Sequence, residues 1–434
     1  MKKTVLSWGK LHKYENEVII PKNIKDINFD LKAKNFTFYG NGRSYGDVCL
    51  NKNGNIIYTN RFKKVRRFDT KKGIIEAEAG ITFDEILKLC VPKGWFLPVT
   101  PGTKFVTLGG AIANDIHGKN HHQIGSFGSC IKKICLIKTN GQKKILSRNK
   151  NFNLFKLTIS GLGLTGFIEW ARIKLIPIKS STMHVENIRF NNLDEYFLIN
   201  NKSKKWPYTV AWFDNSAEGK NLGKGIFSRG YFLKDNNLEA HSSKKIIIIP
   251  KKFPGFLLNK FFIKIFNKLY WNRPAANKVF HTHYGNFFYP LDKIKNWNNL
   301  YGHRGFYQFQ CIFPEKCAKN AIKEVLSKIK AYNMLSFLAV LKTHRKETSP
   351  GLNSFCICGT SIAIDLPNKK KDKTLKLLKD LEKSVLKFKG KINPSKDSTM
   401  SAKTYKKSYP NWIKLKKFKD PYLSSSFWKR VTKK

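Results

Sequence analysis

Two stretches of this sequence are built from residues that let a backbone approach a ligand closely. Gly40-Asn41-Gly42-Arg43-Ser44-Tyr45-Gly46-Asp47 places three glycines in seven residues, directly after Phe36-Thr-Phe-Tyr39, which reads as a strand. Lacking a Cβ and accepting positive φ, such glycines allow backbone amides to reach a pyrophosphate. The spacing is not the G-x-G-x-x-G of a dinucleotide-binding turn, and taken alone a tight structural turn is the commoner explanation. The second stretch runs from Pro101 to His122 and on through Gly125-Ser-Phe-Gly128. It contains Gly102, Thr107, Leu108, Gly109, Gly110, Asn114, Asp115 and Ile116. A short helix beginning near Thr107 would aim its amide dipoles at an anion, with His117, Lys119, His121 and His122 crowding the far side. Asp115 is the nearest carboxylate and no distant partner suggests itself, so no metal is expected. A nucleophilic Cys-His pair is equally unsupported.

The elements that must position these residues alternate short strands with helices. Strands are expected at Ile56 to Thr59 and Gly73 to Gly80. Thr82-Phe-Asp-Glu85 is a capping box opening a helix that ends near Pro92 and Gly94. Ile131 to Lys138 and Lys144 to Leu146 read as a hairpin around Asn140-Gly141, and Phe167 to Ile176 as a further strand. From about Ser180 the texture becomes strand-rich: Val185 to Phe190, Tyr208 to Phe213, Phe306 to Phe313, Leu335 to Lys342 and Ser361 to Leu366. Helices are predicted at Ala318 to Ala331 and Thr374 to Lys389. The whole is an α+β chain.

Two positions in the strand-rich part carry chemistry of their own. Alternation along Phe306 to Phe313 puts Gln308 and Gln310 on one face, so two amides converge where a core would prefer apolar groups; a solvated face is the alternative. Lys342 ends the apolar run Leu335 to Leu341, where it needs water or an anionic partner.

Composition bounds the rest. The chain has 434 residues, with 82 Lys+Arg against 29 Asp+Glu, a formal charge of +53. A hydrophobic content of 41% with 33 Phe excludes a charged disordered chain. The basic excess is spread along the sequence and has three readings: compositional drift, an anionic lipid or substrate, or nucleic acid. Eight cysteines without framework spacing read as buried thiols of a reducing compartment. No secretory leader and no spanning apolar segment is expected. Phe256 to Trp271 is almost continuously aromatic and aliphatic, interrupted by Lys260, Lys264 and Lys268 along one side of a helix. It suits a membrane interface, or an amphipathic helix packed on the second half.

Tyr39 to Asp47 and Pro101 to Gly128 together closely resemble the two FAD-cradling segments of the vanillyl-alcohol-oxidase (PCMH-type) flavoproteins. Within them, His117-Gly-Lys-Asn-His-His122 with Gly125-Ser-Phe-Gly128 resembles the decaprenylphosphoryl-β-D-ribose 2′-oxidase family. Gly163-Leu-Thr-Gly166, Ala211-Trp-Phe-Asp214, Gln308-Phe-Gln310, Ile364-Asp-Leu-Pro367 and Lys396-Asp-Ser398 extend the likeness nearly end to end. The resemblance implies an FAD-binding domain from residues 1–178 completed by 391–434, and a strand-rich substrate domain, 179–390. It implies that Gly40 to Gly46 wrap the pyrophosphate, and that Gly102, Thr107 to Gly110, Asn114 to His117 and Ile168 hold the rest of the FAD. Lys396, matching the family's active-site lysine, would stabilise developing negative charge, with Tyr45, His117 and Lys119 beside the sugar. Gln308, Gln310, Lys342 and Ser361 would meet the substrate, with Trp212 and Phe288 as apolar walls.

The implied activity is oxidation of a sugar alcohol to a ketone, at the 2′-OH of a polyprenylphosphoryl-β-D-ribose. An NAD(P)H-dependent reductase would complete an epimerisation in the cytoplasm, with peripheral contact at an anionic inner-membrane surface. Arg43 stands where many relatives have the histidine that carries covalent flavin, so the FAD is expected to be dissociable. Ser361 and Ala363 replace Asn and Cys, and Phe288 and Asn393 each replace a tyrosine, which reshapes the pocket. A soluble aldonolactone or alditol oxidase is the alternative, although the His-Trp-x-Lys signature is missing. No nucleic-acid motif of the usual kinds appears.

Overall fold

The computed structural model describes residues 1–27, 35–241, 247–251, 259–346 and 348–433. Its first half is built on two main sheets, with a two-stranded ribbon pairing Trp95–Phe96 and Ile176–Pro177. Four short strands lie in the order Lys2–Val5, Tyr14–Ile19, Asn55–Tyr58, Phe36–Tyr39, with Asn55–Tyr58 parallel to both neighbours. Five antiparallel strands follow in the order Val65–Asp69, Ile74–Glu78, Phe167–Lys174, Ile131–Ile137, Lys143–Ser147. The expected capping box is formed: Thr82 Oγ1 accepts from Glu85 N and the Glu85 carboxylate accepts from Thr82 N at 2.9 Å, opening the helix Phe83–Cys90. The hairpin turns at Gly141, whose positive φ of 81° supplies the left-handed residue.

The second half is organised by one antiparallel sheet of eight strands. Its order is Val279–His283, Thr182–Phe190, Gly225–Phe232, Tyr208–Phe213, Ala339–His344, Gly359–Pro367, Phe306–Pro314, Lys391–Ile392. Alternation gives this sheet two chemically opposite faces. Ala211, Phe213, Leu341, Ile362, Ile364, Phe309 and Cys311 bury one face against the helices Ala318–Ala331 and Lys371–Lys387. Each fully buried large apolar side chain there contributes roughly 1.5–3 kcal/mol. The opposite face carries Trp212 beside Val340, Val340 beside Ala363 and Ala363 beside Gln310, with Lys342 beside Ser361 and Gln308 beside Asp365.

Two expectations shift. Leu335 to Leu338 is not strand. Ser336 Oγ accepts from Leu338 N and its backbone N–H donates to Asn215 Oδ1, so local side-chain bonds replace the ladder, and Lys342 becomes a mid-strand residue. The aromatic segment forms the helix Lys260–Asn272, while 256–258 lie outside the described residues. The strand Lys391–Ile392, just past the expected boundary at 390, pairs with Phe306–Pro314. The chain then returns through Ala402–Ser408, Trp412–Phe418 and Ser426–Thr432 to the first half, where Phe36 N donates to the Tyr422 carbonyl and Ser424 N to the Phe36 carbonyl. No described helix is long and apolar enough to cross a membrane, and no disulfide occurs among the described residues.

Candidate active site

The strand Phe36–Tyr39 delivers the glycine loop against the second motif. A Cβ on Gly40 would overlap the Thr107 hydroxyl, and Asn41 Nδ2 donates to the Phe105 carbonyl at 3.1 Å. Gly42 has φ +58°, and a Cβ on Gly46 would fall on the Asp397 carbonyl. These glycines thus serve close approach within the protein, and Tyr45 N donates to the Ser395 carbonyl, seating the loop on the segment that carries Lys396. Among the described residues the amides of Asn41, Gly42, Arg43 and Ser44 donate to no protein acceptor. Arg43 lies between the Trp8 and Phe105 rings, 4.4 and 5.3 Å from their centroids, and its buried Nε is unpartnered, as is Asn114 Oδ1. Gly102 has no atom within reach of a Cβ. Undonated amides, orphaned buried polar atoms and an open glycine fit a large polar cofactor with a pyrophosphate.

The helix expected near Thr107 forms as Leu108–Ala113, but it is not an open anion site. Leu108 N donates to Ile81 O, Gly109 N to Ala79 O and Gly110 N to Thr107 Oγ1. Asp115 is also turned inward: its carboxylate accepts from Gly128 N at 2.7 Å and from the Ser354 hydroxyl. Its side chain braces two loops. Ile116 packs against the apolar core of the first half, and Ile168 is buried in the five-stranded sheet.

The polar face of the large sheet closes over this loop pair. Gln310 Nε2 donates to His117 Nε2 at 3.0 Å and Gln310 Oε1 accepts from Asn393 Nδ2 at 3.0 Å. Gln308 Nε2 donates to Asp365 Oδ1 at 2.6 Å. Lys396 Nζ lies 3.9 Å from the centre of the Tyr45 ring. Lys119 Nζ donates to the Phe288 carbonyl at 3.3 Å, and His344 Nε2 lies 2.8 Å from Ser361 Oγ. Burial pulls Lys119 down to about 7, helped by Lys342, and Lys342 itself down to about 8. Lys396 is lowered by burial, against the pull of Asp365, and burial raises Asp365 above the ordinary carboxylate range. Burial also raises Tyr45 and lowers His117 and His344.

Tyr45, His117, Gln308, Gln310, Lys342, Ser361 and Lys396 therefore converge from six separate parts of the sequence, with Lys119 beside them. One expectation changes. Phe288 is 1% exposed, its ring packed against Phe96, Tyr208 and Phe287; it is core, and it meets the site through its carbonyl and ring contacts with Lys119. Trp212 is held by Nε1–H donating to the Phe337 carbonyl at 3.0 Å, and its ring meets Tyr270 of the Lys260–Asn272 helix. Asp365 and His344 were missed. A lone Asp inside the apolar run Ile362 to Leu366 was a legible signal for the first; the strand's displacement hid the second. Ligand atoms of His117, His344 and Cys356 lie within 4.8 Å of one another, but Lys342 acts on both rings and Lys396 on His117, a charge arrangement that opposes a bound cation.

Residues 18–147 match the family described as an FAD binding domain. Bovine L-gulonolactone oxidase is 24% identical over 56% of each chain, and human Delta(24)-sterol reductase is 31% identical over 26% of this chain and 22% of its own. Loop geometry and these likenesses define an FAD-dependent oxidoreductase with a PCMH-type FAD-binding domain in an α+β fold. Decaprenylphosphoryl-beta-D-ribose oxidase of Mycolicibacterium smegmatis is 32% identical over 398 residues, 88% of this chain and 85% of that protein. The chain belongs to the decaprenylphosphoryl-β-D-ribose oxidase family.

Proposed function

We propose that the protein oxidises the 2′-hydroxyl of a polyprenylphosphoryl-β-D-ribose to a ketone. The observation that carries this reading is the lysine trio: Lys119, Lys342 and Lys396 meet at one site whose facing carboxylate is Asp365. Three partly buried amines with one carboxylate call for an anionic ligand, and a phosphodiester supplies it. Residues 1–178 and 391–434 would hold FAD and residues 179–390 would cover it. Gly40 to Gly46, Gly102, Thr107 to Gly110 and Asn114 to His117 would line the cofactor, and Ile168 would pack beneath it.

When bound, FAD would supply the hydride acceptor for the alcohol carbon. The residues of the chain would position the sugar: Gln310 and Ser361 line the sheet face above it, Tyr45 and Trp212 flank it, and Lys396 balances negative charge as the hydroxyl proton leaves. Arg43 has no nucleophilic ring nitrogen, so the FAD would be dissociable. A ketone product calls for a reductase using NAD(P)H if the sugar is to be epimerised.

A lipid-linked substrate also calls for a membrane contact, and the Lys260–Asn272 helix is suited to one. Only Ile263 and Asn267 are buried, Asn267 donating to Asp214 Oδ1 at 2.7 Å. Phe261 and Leu269 are 67% and 66% exposed, with Phe262, Ile265 and Phe266 also open. An amphipathic helix packed on its own protein would turn these inward; here they face out beside Lys260, Lys264 and Lys268, as at an anionic lipid interface. On this ground the protein would make peripheral contact with an anionic membrane surface.

Anaerobic bleaching of the flavin tests the substrate. Prenylphosphoryl-β-D-ribose should reduce it, and free ribose, aldonolactones and alditols should not. Bleaching by lactones or alditols alone would replace this reading with a soluble aldonolactone or alditol oxidase.

A further inference from the structure

Whether a histidine can take a proton depends on which ring nitrogen already holds one, and the amides around His117 decide that. The deciding contact is with a group that has no choice. The backbone N–H of Ser395 can only donate, and it lies 3.0 Å from Asn393 Oδ1, which also accepts from the Ser395 hydroxyl at 2.9 Å. With its carbonyl oxygen so committed, Asn393 turns its NH2 toward Gln310 and donates to Oε1 at 3.0 Å. Gln310 must then present its own NH2 to His117 Nε2, 3.0 Å away. An amide NH2 does not accept, so Nε2 holds a lone pair and neutral His117 carries its proton on Nδ1. A proton on Nε2 would set two N–H groups against each other.

The surroundings act in the same direction. Lys342 and His344 approach from the Ala339–His344 strand, His121 from the short helix His121–Ile124, Lys396 from the loop after Ile392, and Cys356 from the loop before Gly359. Burial, then Lys342, His121 and Lys396, hold the ring well below the ordinary histidine range. The Gly118 backbone acts weakly the other way, and His117 Nδ1 has no hydrogen-bond partner among the described residues.

We infer that the Ser395–Asn393–Gln310 relay locks His117 in the Nδ1–H form. His117 is thereby a hydrogen-bond donor of the site and not its proton acceptor, and Asn393 and Gln310 are positioning residues. The inference rests on the proposed alcohol oxidation for its catalytic meaning, which is that the hydroxyl proton does not leave to the imidazole. Its structural content stands without that reading.

Asn393→Asp is the informative substitution because it keeps the side chain's shape and does not touch the histidine. The new carboxylate cannot donate, so Gln310 rotates to donate to it and turns Oε1 toward His117, which then needs a proton on Nε2. A change two side chains away would move the proton across the ring. Gln310→Glu should do the same directly. The experiment is a long-range 1H–15N spectrum of FAD-loaded protein labelled with 15N-histidine, recorded without sugar, with His117 assigned through His117→Gln. The parent should show protonated Nδ1 and bare Nε2, and both variants the reverse. A bare Nδ1 in the parent, or the parent pattern persisting in a variant that retains FAD, overturns the inference. If one variant loses FAD, the parent and the other variant decide. No sugar is present, so an error about the substrate leaves this result untouched.

Discussion

A lysine drawn out of water loses its proton more readily, and a bound anion restores it. Lys119 and Lys342, pulled to about 7 and about 8, should each gain from a phosphodiester, since a hydrogen bond to a charged group is worth about 1.5–3 kcal/mol. Lys119→Met should raise KM for a prenylphosphoryl ribose about 10–100-fold while leaving flavin absorbance intact; steady-state kinetics on phosphorylated and uncharged sugars would show whether the effect follows the charge. Asp365→Asn removes the one group that pulls Lys396 upward. Lys396 should then be neutral to lower pH, and a kcat/KM limb set by its amine should move in the acid direction. The shared face of Gln308 and Gln310 was legible from alternation alone. Their partners were not, because Asp365 and Asn393 lie 57 and 83 residues away, and spacing in sequence says nothing about which strands become neighbours.

Elements with strong local signals were read well, and those whose ends depend on neighbours were not. Tyr208–Phe213 and Ala318–Ala331 form as expected, each bounded by its own periodicity. Leu335–Lys342 slips to Ala339–His344 because Ser336 ties up the local backbone, a choice that needs Asn215 to be nearby. The Lys260–Asn272 helix was legible as amphipathic, but whether its aromatic side faced protein or solvent needed the fold. Its exposed Phe261 and Leu269 predict binding to vesicles containing anionic phospholipid. Replacing Lys260, Lys264 and Lys268 together by Glu should weaken that binding by more than about 3 kcal/mol, at roughly 1 kcal/mol per lysine at the surface. Vesicle sedimentation in which the triple variant binds as tightly as the parent would remove the helix from the membrane.

At the scale of the whole molecule, the +53 charge carried less information than a single arginine near the C-terminus. Arg430 bonds Asp47 Oδ1 at 2.8 Å and Asp397 Oδ2 at 3.0 Å, joining the end of the glycine loop to the Lys396 loop and the last helix to both. Both carboxylates are buried. Arg430→Met would strand them, at a cost of about 3–5 kcal/mol; urea unfolding should register that loss, and FAD occupancy should fall with it. No sequence pattern foretold this clasp, since Asp47 stands 383 residues from Arg430. The large sheet has a further consequence for how such an enzyme can change. Its helix-covered side sustains folding and its other side would meet the proposed ligand, so neighbouring positions on one strand answer to different selective demands. Residues 308, 310, 340, 342, 361 and 363 form a patch where substrate preference can drift, or be bred in a combinatorial library, while the interdigitated positions keep the scaffold unchanged.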